Sequence, residues 1–398
     1  MTSFDEILAA STARGTNIVP GCVLAAVDKT GNKFYSKAAG YDSVLPNSPR
    51  INPHGTFWLA SCSKLIGTIA ALQCVDRGQI KLDEPVERVI PELASLQIIE
   101  PVRPGNMTTG DVFTLRPATK KITLRHLLCH TSGISYDMFH PLLMAWRTSR
   151  QEEPLMLSGK LVEAYATPLL FEPGDGWTYG GGIDWAGELA ARLNELPLEH
   201  YCQKYIFGPL NLNSTTFRLG DHPYIKEQLV STSERAKDGT LKPAARLWPD
   251  ESQEDCAGGG LYSSSNDYMK ILGDLLSDEP TLLTRWTVEG MFQPQLENGS
   301  RAVKDLEAAT IFGAMTSIRA SDGGINWGLG GLYTEKDAGS IRKGSLVWGG
   351  LPNLVWFVNR EHGLAGLYAS QMLPPGDPQS GKLANEFMNH IWRVAGKA

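Results

Sequence analysis

A chain of 398 residues, 42% hydrophobic and 20% charged, has the make-up of an ordinary globular protein, large enough for one big core or two fused subdomains. Its net charge of −6, with no basic cluster beyond Lys120-Lys121, excludes nucleic acid as an expected partner. No stretch is apolar for the length of a bilayer span, and the six scattered cysteines (Cys22, Cys62, Cys74, Cys129, Cys202, Cys256) form no paired metal spacing.

The first residues, Met1 to Ile7, have neither the basic start nor the apolar run of an export signal, so a cytoplasmic protein with reduced thiols is expected. A helix is predicted over about 3–12. Two strands follow at 20–28 and 33–39, joined by a turn at Lys29-Thr30-Gly31-Asn32. Ser61-Cys62-Ser63-Lys64 then opens a run that is apolar nearly all round, from Leu65 to Val75, which reads as a buried helix ending at Asp76-Arg77-Gly78. That places Ser61 and Lys64 on one face of its first turn.

Between about 80 and 295 the pattern is helical segments and long Pro/Gly-rich loops, with 124–129, 183–193 and 266–276 the clearest helices. Three strands are predicted at 345–349, 354–358 and 364–369, and a closing helix at about 382–395. The middle strand is apolar throughout, so both of its faces should be covered, with the terminal helices as candidates. The expected fold class is α/β (α+β): an antiparallel sheet flanked by helices, built from residues 1–80 and 295–398, with a mainly helical domain, 81–294, inserted between its halves.

The chemistry centres on Ser61. A serine hydroxyl attacks poorly until a neighbouring base takes its proton, and a buried amine beside a helix N-terminus is such a base. The same N-terminus offers backbone N–H groups to an oxyanion. A second Ser-x-x-Lys, Ser340 to Lys343, falls in a charged loop before a strand. His130 invites a triad with Ser132, but no Gly-x-Ser-x-Gly elbow occurs, and a structural histidine ending a helix is the preferred reading. Gly376 to Lys382 mimics a phosphate loop, yet Leu383 replaces its Ser or Thr and no strand precedes it. No His-Glu-x-x-His is present, and neither metal nor cofactor is expected.

Further motifs accompany Ser61-Cys62-Ser63-Lys64: Leu127-Leu128-Cys129-His130-Thr131-Ser132-Gly133, Gly176-Trp177-Thr178-Tyr179-Gly180, and Trp348-Gly349-Gly350 on a predicted strand. In this order they resemble the serine β-lactamase-like esterases and acyltransferases related to class C β-lactamases and penicillin-binding proteins. Ala71 to Cys74, Lys121 to His126, Ile183 to Gly187 and Lys343 to Leu346 look like the fungal members that attach or remove the acyl side chain of statin-type polyketides. The resemblance implies a β-lactamase/transpeptidase-like fold, Ser61 as nucleophile, Lys64 as its base, and Tyr179 carrying the proton between nucleophile and leaving group. It further implies an oxyanion hole from the backbone N–H groups of Ser61 and Leu351. Trp348, Gly349, Gly350, Trp177 and Tyr136 are the expected substrate contacts.

Two departures from the family pattern bear on substrate. Gly181 stands where β-lactamases carry Asn, and Trp348 where they carry a Lys that would grip a carboxylate. Both disfavour β-lactams and favour esters with apolar, uncharged acyl groups. The expected activity is ester hydrolysis, with transfer of the acyl group to a polyketide alcohol as the alternative and an acyl carrier or alcohol acceptor as the added partner. A β-lactamase or D-alanyl peptidase, or a non-catalytic binder, fits less well because Ser61, Lys64 and Tyr179 are all present.

Overall fold

The apolar runs at the two ends of the chain pair with each other. The computed structural model describes residues 3–102, 112–316, 318 and 323–396. Its main sheet contains β1 (Gly21–Asp28), β2 (Tyr35–Gly40), β3 (Ile325–Trp327), β4 (Leu332–Thr334), β5 (Ser345–Gly350), β6 (Leu354–Asn359) and β7 (Leu364–Ala369). The spatial order is β3-β4-β5-β6-β7-β1-β2, antiparallel throughout. The turn between β1 and β2 forms as expected: Asp28 accepts the Thr30 and Asn32 N–H groups, and Gly31 adopts φ +78°.

All six residues of β6 are buried, which requires cover on both faces. The helices named below are α1 (Phe4–Ser11), α2 (Ser63–Asp76), α3 (Gly182–Leu193), α4 (Ser265–Leu276) and α5 (Pro378–Val394). Val27, Ala365 and Val358 align across β1, β7 and β6 on the face that α4 covers, with Gly273 against Val27. Phe357 points the other way and packs its ring 5.2 Å from Trp392 of α5. Phe4 of α1 joins that layer beside Phe387. The terminal helices therefore cover one face only, and α4 supplies the second.

Helix α5 starts at Pro378, earlier than expected, because Asp377 caps it and proline suits a first helical position. The Asp377 carboxylate accepts the Ser380 N–H at 2.8 Å, so the phosphate-loop look-alike already holds an anion of its own. The 81–294 stretch is less purely helical than expected. It contains the pairs Gln97–Pro101 with Phe113–Pro117 and Ser233–Arg235 with Leu241–Pro243. It also supplies Tyr262–Ser264, which pairs with Thr215–Thr216 and with Thr56–Trp58 just ahead of Ser61. Strands of two or three residues are too short to show alternation in a sequence.

Candidate active site

The strand Thr56–Trp58 delivers the chain to a tightly fixed turn. The Leu59 N–H donates to Leu261 C=O at 2.9 Å, and the Cys62 N–H closes on Leu59 C=O at 3.0 Å. The Ser63 hydroxyl donates to Ala60 C=O at 2.6 Å and accepts the Leu261 N–H at 3.1 Å. Ala60 is held at φ +45°, a left-handed conformation that costs a non-glycine residue about 1–3 kcal/mol and persists where its surroundings impose it. Ser61 lies in this 3₁₀ turn, Ala60–Cys62, and not in the first α-helical turn as expected; α2 begins at Ser63. The change leaves Ser61 half-buried at the helix head while Lys64 is buried to 1% exposure.

An ammonium has three donors, and Lys64 directs them at Ser61 Oγ (3.2 Å), Tyr136 Oη (2.9 Å) and Gly258 C=O (2.7 Å). Its Nζ also stands 4.8 Å from the centroid of the Tyr179 ring, within cation–π range. The Tyr179 hydroxyl accepts the Trp348 indole N–H at 3.1 Å. Tyr136 and Tyr179 meet edge to face at 5.4 Å. Burial drives the Tyr136 phenol well above its usual range, and Asp184 and Tyr179 push the same way. Tyr136 is thus a neutral phenol that anchors the lysine.

Glycines set the close approaches. A Cβ at Gly350 would stand 2.3 Å from Leu59 C=O, so the end of β5 lies directly against the turn that carries Ser61. A Cβ at Gly181 would strike the Tyr165 ring at 2.4 Å, which leaves no room for an Asn at that position. His130 packs among Tyr179 (4.8 Å) and Trp327 (4.9 Å), and burial pushes its imidazole well below the usual range, followed by the field of Lys64. Ser132 accepts the Ile134 N–H, and no bond joins it to His130 among the described residues.

A cavity of about 430 Å³ opens beside Tyr179, lined by Phe139, His140, Trp177, Thr178 and Ile311 among others, with no Lys or Arg among its described lining residues. Larger hollows of about 770 and 530 Å³ lie elsewhere and touch none of Ser61, Lys64, Tyr136 or Tyr179. Of the five expected substrate contacts, Trp177 lines the cavity. Trp348 instead sits behind Tyr179 at 1% exposure, Tyr136 binds Lys64, and Gly349 and Gly350 are buried in β5. Sequence reasoning missed Gly258, whose carbonyl holds the lysine from 194 residues away, and assigned no role to Asp184. An Asp amid the apolar residues of a core helix was the available signal.

The β-lactamase family model matches residues 9–386 of this chain. The chain belongs to the β-lactamase family. It is 38% identical to the acyltransferase calJ of Penicillium decumbens, over 98% of each chain. It is 35% identical to the monacolin J acid methylbutanoyltransferase of Aspergillus terreus (94% of this chain, 92% of that one). Identity to the lovastatin esterase of Penicillium rubens is 33%, over 95% of each. A simvastatin synthase mutant from Aspergillus terreus superposes with a TM-score of 0.87 at 33% identity, covering 99% of this chain and 95% of that one. In this chain the Trp348 indole N–H holds the Tyr179 hydroxyl.

Proposed function

We propose that this protein cleaves an ester with an apolar acyl group by way of an acyl-enzyme on Ser61. The observation that carries the reading is Lys64, buried and bonded at once to Ser61 Oγ and to Tyr136. Ser61 Oγ attacks the ester carbonyl as its proton passes to Lys64 in its free-amine form, which becomes the ammonium and relays the proton to Tyr179. The carbonyl oxygen becomes an oxyanion facing the N–H groups of Ser61 and Leu351. Tyr179 returns the proton to the departing alkoxide, and the acyl group stays on Ser61. An incoming hydroxyl then reverses these steps. Metal and cofactor have no part in this sequence.

The incoming hydroxyl decides the name of the activity. Water gives an esterase and a bound alcohol gives an acyltransferase, and the relatives' names divide in the same way. The uncharged cavity beside Tyr179 supports an apolar guest, with the side-chain ester of a statin-type polyketide as the favoured substrate. The test is to supply p-nitrophenyl butyrate with and without a polyketide alcohol and to measure butyrate against the new ester. Release of p-nitrophenol that vanishes in Ser61→Ala is expected, with butyrate as the main product in water. Equal turnover by the parent and Ser61→Ala would refute the reading.

A further inference from the structure

Asp184 is fully buried in the first turn of α3, and the proton-transfer steps make no use of it. Its Oδ1 accepts the Gly258 N–H at 2.8 Å, and the carbonyl of the same Gly258 accepts the Lys64 ammonium at 2.7 Å. The contact is close: a Cβ at position 258 would lie 2.1 Å from Asp184 Oδ2, so the carboxylate is seated directly on the glycine backbone. Among the described residues Oδ2 itself has no hydrogen-bond partner. A buried carboxylate with an unsatisfied oxygen is costly and persists where a cation compensates it. The groups facing it are Lys64 from α2, Tyr136 from the loop ahead, Tyr165 from the helix Leu161–Tyr165, and Cys256 beside Gly258. Lys64 is the cation among them.

We propose that Asp184 is a positioning residue for Lys64, holding the amine beside Ser61 through the Gly258 backbone and serving as its buried counter-charge. The inference rests on the Ser61 acyl-enzyme reading. Burial raises the Asp184 carboxyl to about 6, with Lys64 and the Gly258 N–H acting against that rise. Protonation in this range removes the counter-charge, so the acylation rate should fall as pH drops through it.

The test uses the full chain and follows the p-nitrophenol burst from p-nitrophenyl butyrate across pH 5–8 in the parent, D184N, D184A and S61A. D184N keeps an acceptor for the Gly258 N–H but carries no charge. Its acylation rate should fall about 10- to 100-fold with KM changed less than about twofold, as orienting partners behind a reacting group typically do. The pH step near 6 should disappear with the charge, and D184A should be slower again. D184N acylating at the parent rate with the parent pH profile would overturn the proposal. So would D184N and D184A that are equally slow and both retain the step, since that pattern marks packing alone. A burst from S61A would instead sink the acyl-enzyme reading itself, which separates the two failures.

Discussion

At the scale of single residues, two tyrosines stand beside Lys64, and the proposed mechanism gives the acid–base role to one of them. Tyr136 binds Lys64 directly, whereas Tyr179 lies under the ammonium with its hydroxyl held by Trp348. Tyr136 is sealed among Tyr165, Phe139 and Tyr179, and its phenol is driven far up by burial, which suits an anchor. Tyr179 borders the cavity, which suits a group that meets the leaving alcohol. Tyr179→Phe should therefore keep the fold and lose about 10²- to 10⁴-fold in kcat, the usual range for a lost acid–base group. Tyr136→Phe should lose about tenfold, because one buried donor of Lys64 is left without a partner. Steady-state kinetics on both variants, with circular dichroism to verify folding, decides the assignment; the opposite ranking would exchange the two roles. The sequence motif pointed to Tyr179, but nothing near Tyr136 in the chain announces a partner 72 residues away.

At the scale of elements, the segment that follows Tyr136 is pinned by a buried ion pair. Asp137 accepts from Arg147 Nε at 3.1 Å and from the Leu155 N–H at 2.7 Å. Arg147 also reaches Glu152 and the carbonyls of Glu163 and Ala164. One guanidinium thus joins the helix Pro141–Ser149 to the helix Leu161–Tyr165 and sets the position of Tyr136. Removing one partner of such a pair strands the other charge in the core, at about 3–5 kcal/mol. Arg147→Ala should show that loss in urea unfolding, together with slower acylation. Unchanged stability would mean that the pair contributes nothing. Periodic helices and largely apolar strands were legible here: α3, α4 and the strands β5 to β7 stand where the residues predict them. The strands β3 and β4 escaped notice because three residues around a glycine-rich turn, Gly328 to Gly331, carry no period. The 3₁₀ turn at Ser61 escaped because tertiary bonds from Leu261 and Ser63 shape it, and propensity does not.

At the scale of the whole molecule, the site is where distant parts of the chain converge. The sheet brings Gly350 against Leu59, α3 brings Asp184 to Gly258, and the loop before Tyr262–Ser264 brings Gly258 to Lys64. The apolar strands at both ends of the chain reveal that a sheet exists and that both ends build it. They could not tell which carbonyl meets which donor, because that depends on packing between segments 74 to 291 residues apart. Nor was the tight seam between β5 and the nucleophile turn visible beyond the glycines that permit it. Gly350→Ala tests the seam: its Cβ would meet backbone at 2.3 Å, which a flexible side chain cannot relieve. The variant should remain folded, since β5 keeps its pairing to β6, yet acylate at least about 100-fold more slowly as the oxyanion donors shift. Parent-like acylation would show that the spacing of strand and turn does not control the reaction.

In the proposed reaction Ser61 carries the acyl group. Intact-mass spectrometry after brief exposure to p-nitrophenyl butyrate, on the parent and on Ser61→Ala, measures this directly. One butyryl adduct is expected on the parent, localised to the peptide containing Ser61, and none on the variant. An adduct of equal occupancy on both proteins would contradict it, because the acyl group would then reside on another side chain.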